Sequence, residues 1–209
     1  MTRADARHGA QVAEPSRPQR RKGLVLMAMG FACLVAALTL FGTYAWEDYQ
    51  IGRASSEVLG KMEQLDPSDA CEPEGNQQMP YYTIDGINYL GRIQIPSVGI
   101  DLPVIADYSM EALQTAPARY SGDYYANNMV ICGHSFMWQF GPLHSMRPGD
   151  DVYLLTADDK VLHYRTMDIE IVGPYEVDRM TKSEYDLSLF CCTWDSANRI
   201  TPRCMRVYD

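Results

Sequence analysis

From Leu24 to Ala45 the chain reads LVLMAMGFACLVAALTLFGTYA, 22 residues without a charge. At about 1.5 Å of rise per residue a helix of this length is roughly 33 Å long, enough to cross a hydrocarbon core of about 30 Å. No polar face recurs at a helical period, which argues against a half-buried helix of a soluble domain. The run also exceeds the usual core of a cleaved signal, about 7–15 residues, so an uncleaved anchor is expected. Arg20, Arg21 and Lys22 stand just before it, and Glu47 and Asp48 just after, with Tyr44 and Trp46 at the boundary. The positive-inside rule then predicts a single-pass protein of the cell membrane, N-terminus cytoplasmic, with residues 47–209 outside.

Four regions follow from this anchor. Residues 1–23 form a basic tail, 24–46 the transmembrane anchor, 47–80 a juxtamembrane helix and linker, and 81–209 one globular domain. The tail holds six basic and two acidic residues, a net +4, which leaves −13 for the rest of a chain whose total is −9. An acidic body repels phosphate, so nucleic acid is excluded as a partner. Residues 47–65 carry a loose apolar stripe at Ile51, Val58, Leu59 and Met62, and 66–80 are rich in Pro, Asp and Gly.

From about Tyr81, short apolar runs alternate with turn residues. The runs are 91–96, 101–105, 128–134, 151–157, 161–174, 186–193 and 200–208. That rhythm predicts a mostly β sandwich or barrel, with short helical turns only at 110–115 and 139–145 and a hairpin turn at 158–160. Pro202 falls inside the last run and predicts an edge strand or a bulge there.

Five of the six cysteines follow the span: Cys71, Cys132, Cys191, Cys192 and Cys204. The number is odd, so at least one has no partner within the chain. No CxxC spacing marks a metal site. Along a strand, Leu187, Leu189 and Cys191 share one face, and Ser188, Phe190 and Cys192 the other. If the leucines face the core, Cys191 is a buried apolar residue and Cys192 is open at the strand's end. A cysteine nucleophile needs a base or cation beside it. His163 sits inside a strand pattern, His144 in a helical turn, and His134 at a strand end as Gly133-His134-Ser135, where catalytic groups tend to sit. Arg199, Arg203 and Arg206 follow Cys192, and any of them could hold an oxyanion.

In this order the residues resemble the sortase family. Leu187 to Thr193 (LSLFCCT) is similar to the family's Thr-Leu-x-Thr-Cys signature, with Ser188 and Leu189 in the Thr-Leu places and Cys191 where Thr is usual. Gly133-His134-Ser135 resembles the Gly-His segment, and Arg199-Ile200-Thr201 the arginine that opens the final strand. Weaker likenesses lie at 91–105 and 140–151. The resemblance implies a closed eight-stranded β-barrel with short helices, preceded here by the N-terminal transmembrane helix. It implies a cysteine transpeptidase with Cys192 as nucleophile, His134 as proton carrier and Arg199 as oxyanion stabiliser, Arg203 being the reserve. The implied substrates are secreted surface proteins or pilins bearing a Leu-Pro-x-Thr-Gly-like sorting signal, and the acceptor is an amine of a cell-wall precursor or pilin. No cofactor and no metal is implied. The alternatives are another extracytoplasmic cysteine hydrolase and a non-catalytic surface module.

Overall fold

The computed structural model describes residues 17–73 and 79–208. The basic tail is outside the described residues up to residue 16, and so is the part of the linker at 74–78. The chain divides into two units, Met1–Ala45 and Trp46–Asp209. Helix α1 (Arg17–Met62) begins in the first and ends in the second. By length and composition it is the one described helix able to cross a membrane.

Within the second unit, α1 buries Asp48, Ile51, Ser55 and Val58, a stripe at alternating three- and four-residue spacing. Val58 packs with Tyr82, Tyr89, Leu113 and Ala116, and Met62 and Leu65 close over them. Ser55 Oγ donates to the carbonyl of Thr115 at 3.0 Å.

Among the described residues nine strands follow: β1 (Tyr82–Ile84), β2 (Ile87–Ile95), β3 (Ile100–Ile105), β4 (Ala118–Ser121), β5 (Met129–Cys132), β6 (Asp151–Thr156), β7 (Val161–Val172), β8 (Leu187–Cys192) and β9 (Arg199–Arg206). The order is β1-β2-β3-β4-β5-β8-β9-β7-β6, and β6 returns to pair with β2. Strands β2 to β9 thus close an eight-stranded mixed barrel, as the resemblance implies. β1 adds a short hairpin to one end of β2. Closure depends on Gly91: its φ is +139°, and a Cβ there would stand 2.0 Å from the carbonyl oxygen of Leu155. Pairing to β3 shifts register at the same point, between Tyr89 and Gly91. The bulge lets one strand serve β1 with its first half and β6 with its second.

Alternation places the core. β6 buries every second residue, Val152, Leu154 and Thr156, and the hairpin at 158–160 turns on Asp159 at φ 59°. Leu90, Ile93, Val104, Ile131, Leu154, Leu162, Tyr164, Leu189 and Cys191 fill the barrel.

Of the two outcomes expected at Pro202, the edge strand is corrected, while a bulge is present: β7 shifts register against β9 between Thr166 and Asp168, opposite Cys204 and Arg203. β9 lies between β7 and β8, and Pro202 stands opposite Ile169 of β7. On the β8 side the paired positions break between Ser188–Arg203 and Cys191–Ile200, where proline has no N–H to give, and the register resumes unchanged. The helical turns are shorter than expected, at Ala112–Gln114 and Gly141–Ser145. A five-residue helix α2 (Val177–Thr181) between β7 and β8 was not foreseen.

Candidate active site

Strand parity determines which side chains meet on the outer face of the barrel. On β8, Leu187, Leu189 and Cys191 enter the core, so Ser188, Phe190 and Cys192 point outward. β5 runs parallel to β8 with Cys132 opposite Phe190, and Gly133 N–H extends the ladder to the carbonyl of Phe190 at 3.0 Å. This brings His134 to the same end of the sheet as Cys192. β9 runs antiparallel with Arg199 directly opposite Cys192.

Cys192, His134 and Arg199 line one groove of about 230 Å³. One wall is the β3–β4 connection, through Tyr108, Met110 and Leu113. The other is the β7–β8 connection and α2, through Pro174, Glu176, Val177 and Met180. Tyr120 and Phe190 lie on the floor, their rings edge to face at 5.4 Å, and Tyr120 meets Tyr108 in the same way.

The cysteines separate by environment. Burial pushes the thiols of Cys132, Cys191 and Cys204 up to about 12. Such thiols stay protonated at neutral pH and are inert. Cys191 Sγ contacts the carbonyl of Phe140 at 3.3 Å, inside the core. Cys71 is exposed in an isolated bridge to Tyr81, remote in sequence from the strand ends. Cys192 is half-buried and opens on the groove, and no disulfide joins it to Cys191.

Burial lowers the His134 pKa below the ordinary imidazole value, so the neutral ring dominates at pH 7. Its Nε2 stands 3.4 Å from Gln114 Nε2, and its ring meets Phe136 edge to face. The backbone is held by Gln139, a buried side chain whose Oε1 accepts from His134 N–H while its Nε2 donates to the carbonyl of Leu113 at 2.9 Å. Gln139 therefore ties the His134 loop to the wall carrying Gln114. The sequence reading missed both glutamines. Gln139 lies in the run FMWQF, and a lone amide among large apolar residues is the signal that could have found it. Replacing Gln139 with Leu strands the His134 N–H and the Leu113 carbonyl, at a cost of about 2 kcal/mol. Thermal unfolding should register a fall in Tm of roughly 4–8 °C.

The other two described histidines, His163 and His144, have structural partners. His163 Nε2 pairs with Asp151 at 2.9 Å and its ring stacks on Tyr153. His144 stacks on Trp194 with centroids 4.0 Å apart, bracing the β8–β9 loop.

Arg203 does not reach the groove's reacting end. It is 1% exposed and opposite Ser188, four residues before Cys192 on the strand. Its guanidinium donates to Glu170 Oε2, to Ser188 Oγ at 2.8 Å, and to the carbonyls of Arg179 and Met180 at the end of α2. It clamps α2, and with it the groove wall, to the barrel. The reserve role for Arg203 is thereby corrected: every direction its donors point is already taken.

Comparison with known proteins agrees with this architecture. The sortase domain family model matches residues 93–207, more than half of the chain. A sortase C of Clostridium perfringens, solved with the C-terminal cell wall sorting motif, is 26% identical. Its match covers 58% of this chain and 71% of that one, with a TM-score of 0.51. Sortase A of Corynebacterium diphtheriae is 22% identical over 59% of this chain and 62% of its own, with a TM-score of 0.54. Sortase C of Streptococcus pneumoniae is 24% identical over 58% and 69%, with a TM-score of 0.51. The last two likenesses concern the fold. No curated protein sequence matches. The chain belongs to the sortase family, whose members are cysteine transpeptidases.

Proposed function

We propose that this chain is a membrane-anchored transpeptidase that cleaves a C-terminal sorting signal of the Leu-Pro-x-Thr-Gly kind and transfers the acyl part to an amine. The observation that carries the reading is the facing pair Cys192 and Arg199, in a groove that His134 also lines. The uncharged run at 24–45 supports the anchor, and the Clostridium perfringens relative, solved with the C-terminal cell wall sorting motif, supports the kind of substrate.

The chemistry follows from the groups. His134, neutral at rest, accepts the Cys192 thiol proton, and the thiolate attacks the threonine carbonyl carbon. The carbonyl oxygen becomes an oxyanion, held by the permanent charge of Arg199. The C–N bond to glycine breaks as the His134 imidazolium protonates the departing amine, leaving a thioester on Cys192. An incoming amine gives a proton to His134 and attacks the thioester carbon. The C–S bond breaks, and the departing sulfur takes the proton back from His134, which restores the thiol and the neutral ring. The apolar walls at Met110, Leu113, Val177 and Met180 suit a peptide with Leu and Pro ahead of the reacting bond.

Incubating the chain with a sorting-signal peptide and a small primary amine tests this. The expected product is the peptide joined to the amine through its threonine. Peptide acid alone, at every amine concentration, would make the chain a hydrolase. An intact peptide across a panel of sorting motifs would make it a non-catalytic module.

A further inference from the structure

One exposed apolar set of the second unit lies outside the groove. Trp46, Tyr49, Met137 and Trp138 are exposed by 63, 52, 54 and 61%. Trp46 and Tyr49 stand on α1, and Met137 and Trp138 on the loop that packs against α1 at Asp48 and Gly52. The Trp46 and Tyr49 rings lie 6.2 Å apart. Trp138 N–H donates to Oδ1 of the buried Asp48 at 3.0 Å. The Trp138 side chain lies so close over the helix that a Cβ on Gly52 would stand 2.8 Å from its Cβ. Single exposed apolar residues are ordinary on a protein surface, but two indoles, a phenol and a thioether on one short stretch of helix and the loop packed against it are not.

We infer that this patch is seated in the lipid–water interface of the membrane, so that the His134 loop rests on the bilayer. The inference builds on the anchor proposed above. Trp46 directly follows the uncharged run, and Asp48 is three residues beyond Ala45, so chain length alone keeps it within about 11 Å of the span's end. Indole and phenol rings partition to that depth, with the ring plane among acyl chains and the N–H or O–H at the headgroups. Trp138 belongs to the segment that joins His134 to Phe140, and Gln139 beside it holds His134. The rim of the groove nearest the lipid is therefore the His134 rim.

The test uses the full chain in phosphatidylcholine vesicles at a low protein-to-lipid ratio, a lipid of zero net charge, so that the vesicle surface does not repel Glu47. Two variants each keep one relevant tryptophan: W138F/W194F retains Trp46, and W46F/W194F retains Trp138. Each is measured in ordinary lipid and in lipid brominated near the headgroup end of its chains. Loss of emission from both tryptophans in the brominated lipid supports the docking. Loss from Trp46 with unchanged emission from Trp138 overturns it while leaving the anchor intact. Unchanged emission from both overturns the anchor as well. Trp138 emission that is blue-shifted, insensitive to bromine and dependent on protein density would assign the patch to a second copy of the chain, and also overturns the proposal.

Discussion

Replacing Cys192 with Ala should abolish both peptide cleavage and amine transfer, while replacing Cys191 with Ala should leave both near the starting rate. The two thiols are neighbours in sequence and differ in everything that governs reactivity. Cys191 is fully buried among Leu189, Phe140 and Ile200, and burial pushes its thiol up to about 12. At pH 7 roughly one molecule in 10⁵ would carry the thiolate there, with no path to a substrate. Cys192 points to the opposite face, into the groove that His134 and Arg199 line. Cys191→Ala removes one sulfur and its contact to Phe140 O, which costs stability of order 1 kcal/mol and no chemistry. Product formation by chromatography, with circular dichroism to verify folding, reads both variants. Activity lost from Cys191→Ala and kept in Cys192→Ala would reverse the assignment.

Arg199 and Arg203 should separate as cleanly, one in rate and the other in stability. Both side chains project from the outer face of β9, opposite Cys192 and Ser188 respectively. Arg199 stands at the groove, and its Nη1 donates to the carbonyl of Asn198 at 3.0 Å. Arg199→Ala should lower kcat about 10²–10³-fold, the usual cost of one oxyanion donor, with Tm nearly unchanged. Arg199→Lys should recover little, because a single ammonium does not reproduce the guanidinium fork. Arg203→Ala leaves Glu170 only its longer pair with Arg179, at 3.8 Å, and strands two carbonyls at the end of α2. Removing one partner of a buried pair costs about 3–5 kcal/mol. For a domain of this size that corresponds to a Tm lower by roughly 6–20 °C. Calorimetry and steady-state kinetics on the two variants decide between these roles.

What could be read from the residues, and what could not, follows the range of the interactions. The longer strands carry their own alternation, and β6, β7 and β8 emerge within a residue or two of the expected runs. β1 and β4 have three and four residues, too short for a period of two to declare itself. α2 has no side-chain cap, and its last carbonyls are held by Arg203 from a strand over 20 residues later, which no local pattern encodes. Pro202 was legible only in part, for the opposite reason. A local rule allowed it at an edge or at a bulge, and the barrel holds it inside the sheet beside a bulge in β7, with β7 and β8 securing β9 on both sides of the break. Strand parity separates Cys191 from Cys192. The meeting of Cys192 with Arg199 follows from a short antiparallel return. His134 reaches them only through the parallel pairing of β5 with β8, segments more than 50 residues apart, and that is tertiary information.

The account rests on Cys192 being the sulfur that takes the acyl group. A sorting-signal peptide whose scissile amide is replaced by an irreversible thiol trap, followed by peptide mapping in a mass spectrometer, tests this most directly. The predicted result is one trapped peptide per chain, on Cys192, forming far more slowly in His134→Ala. A trap found on Cys191, Cys132 or Cys71, or none on a folded chain, would contradict it.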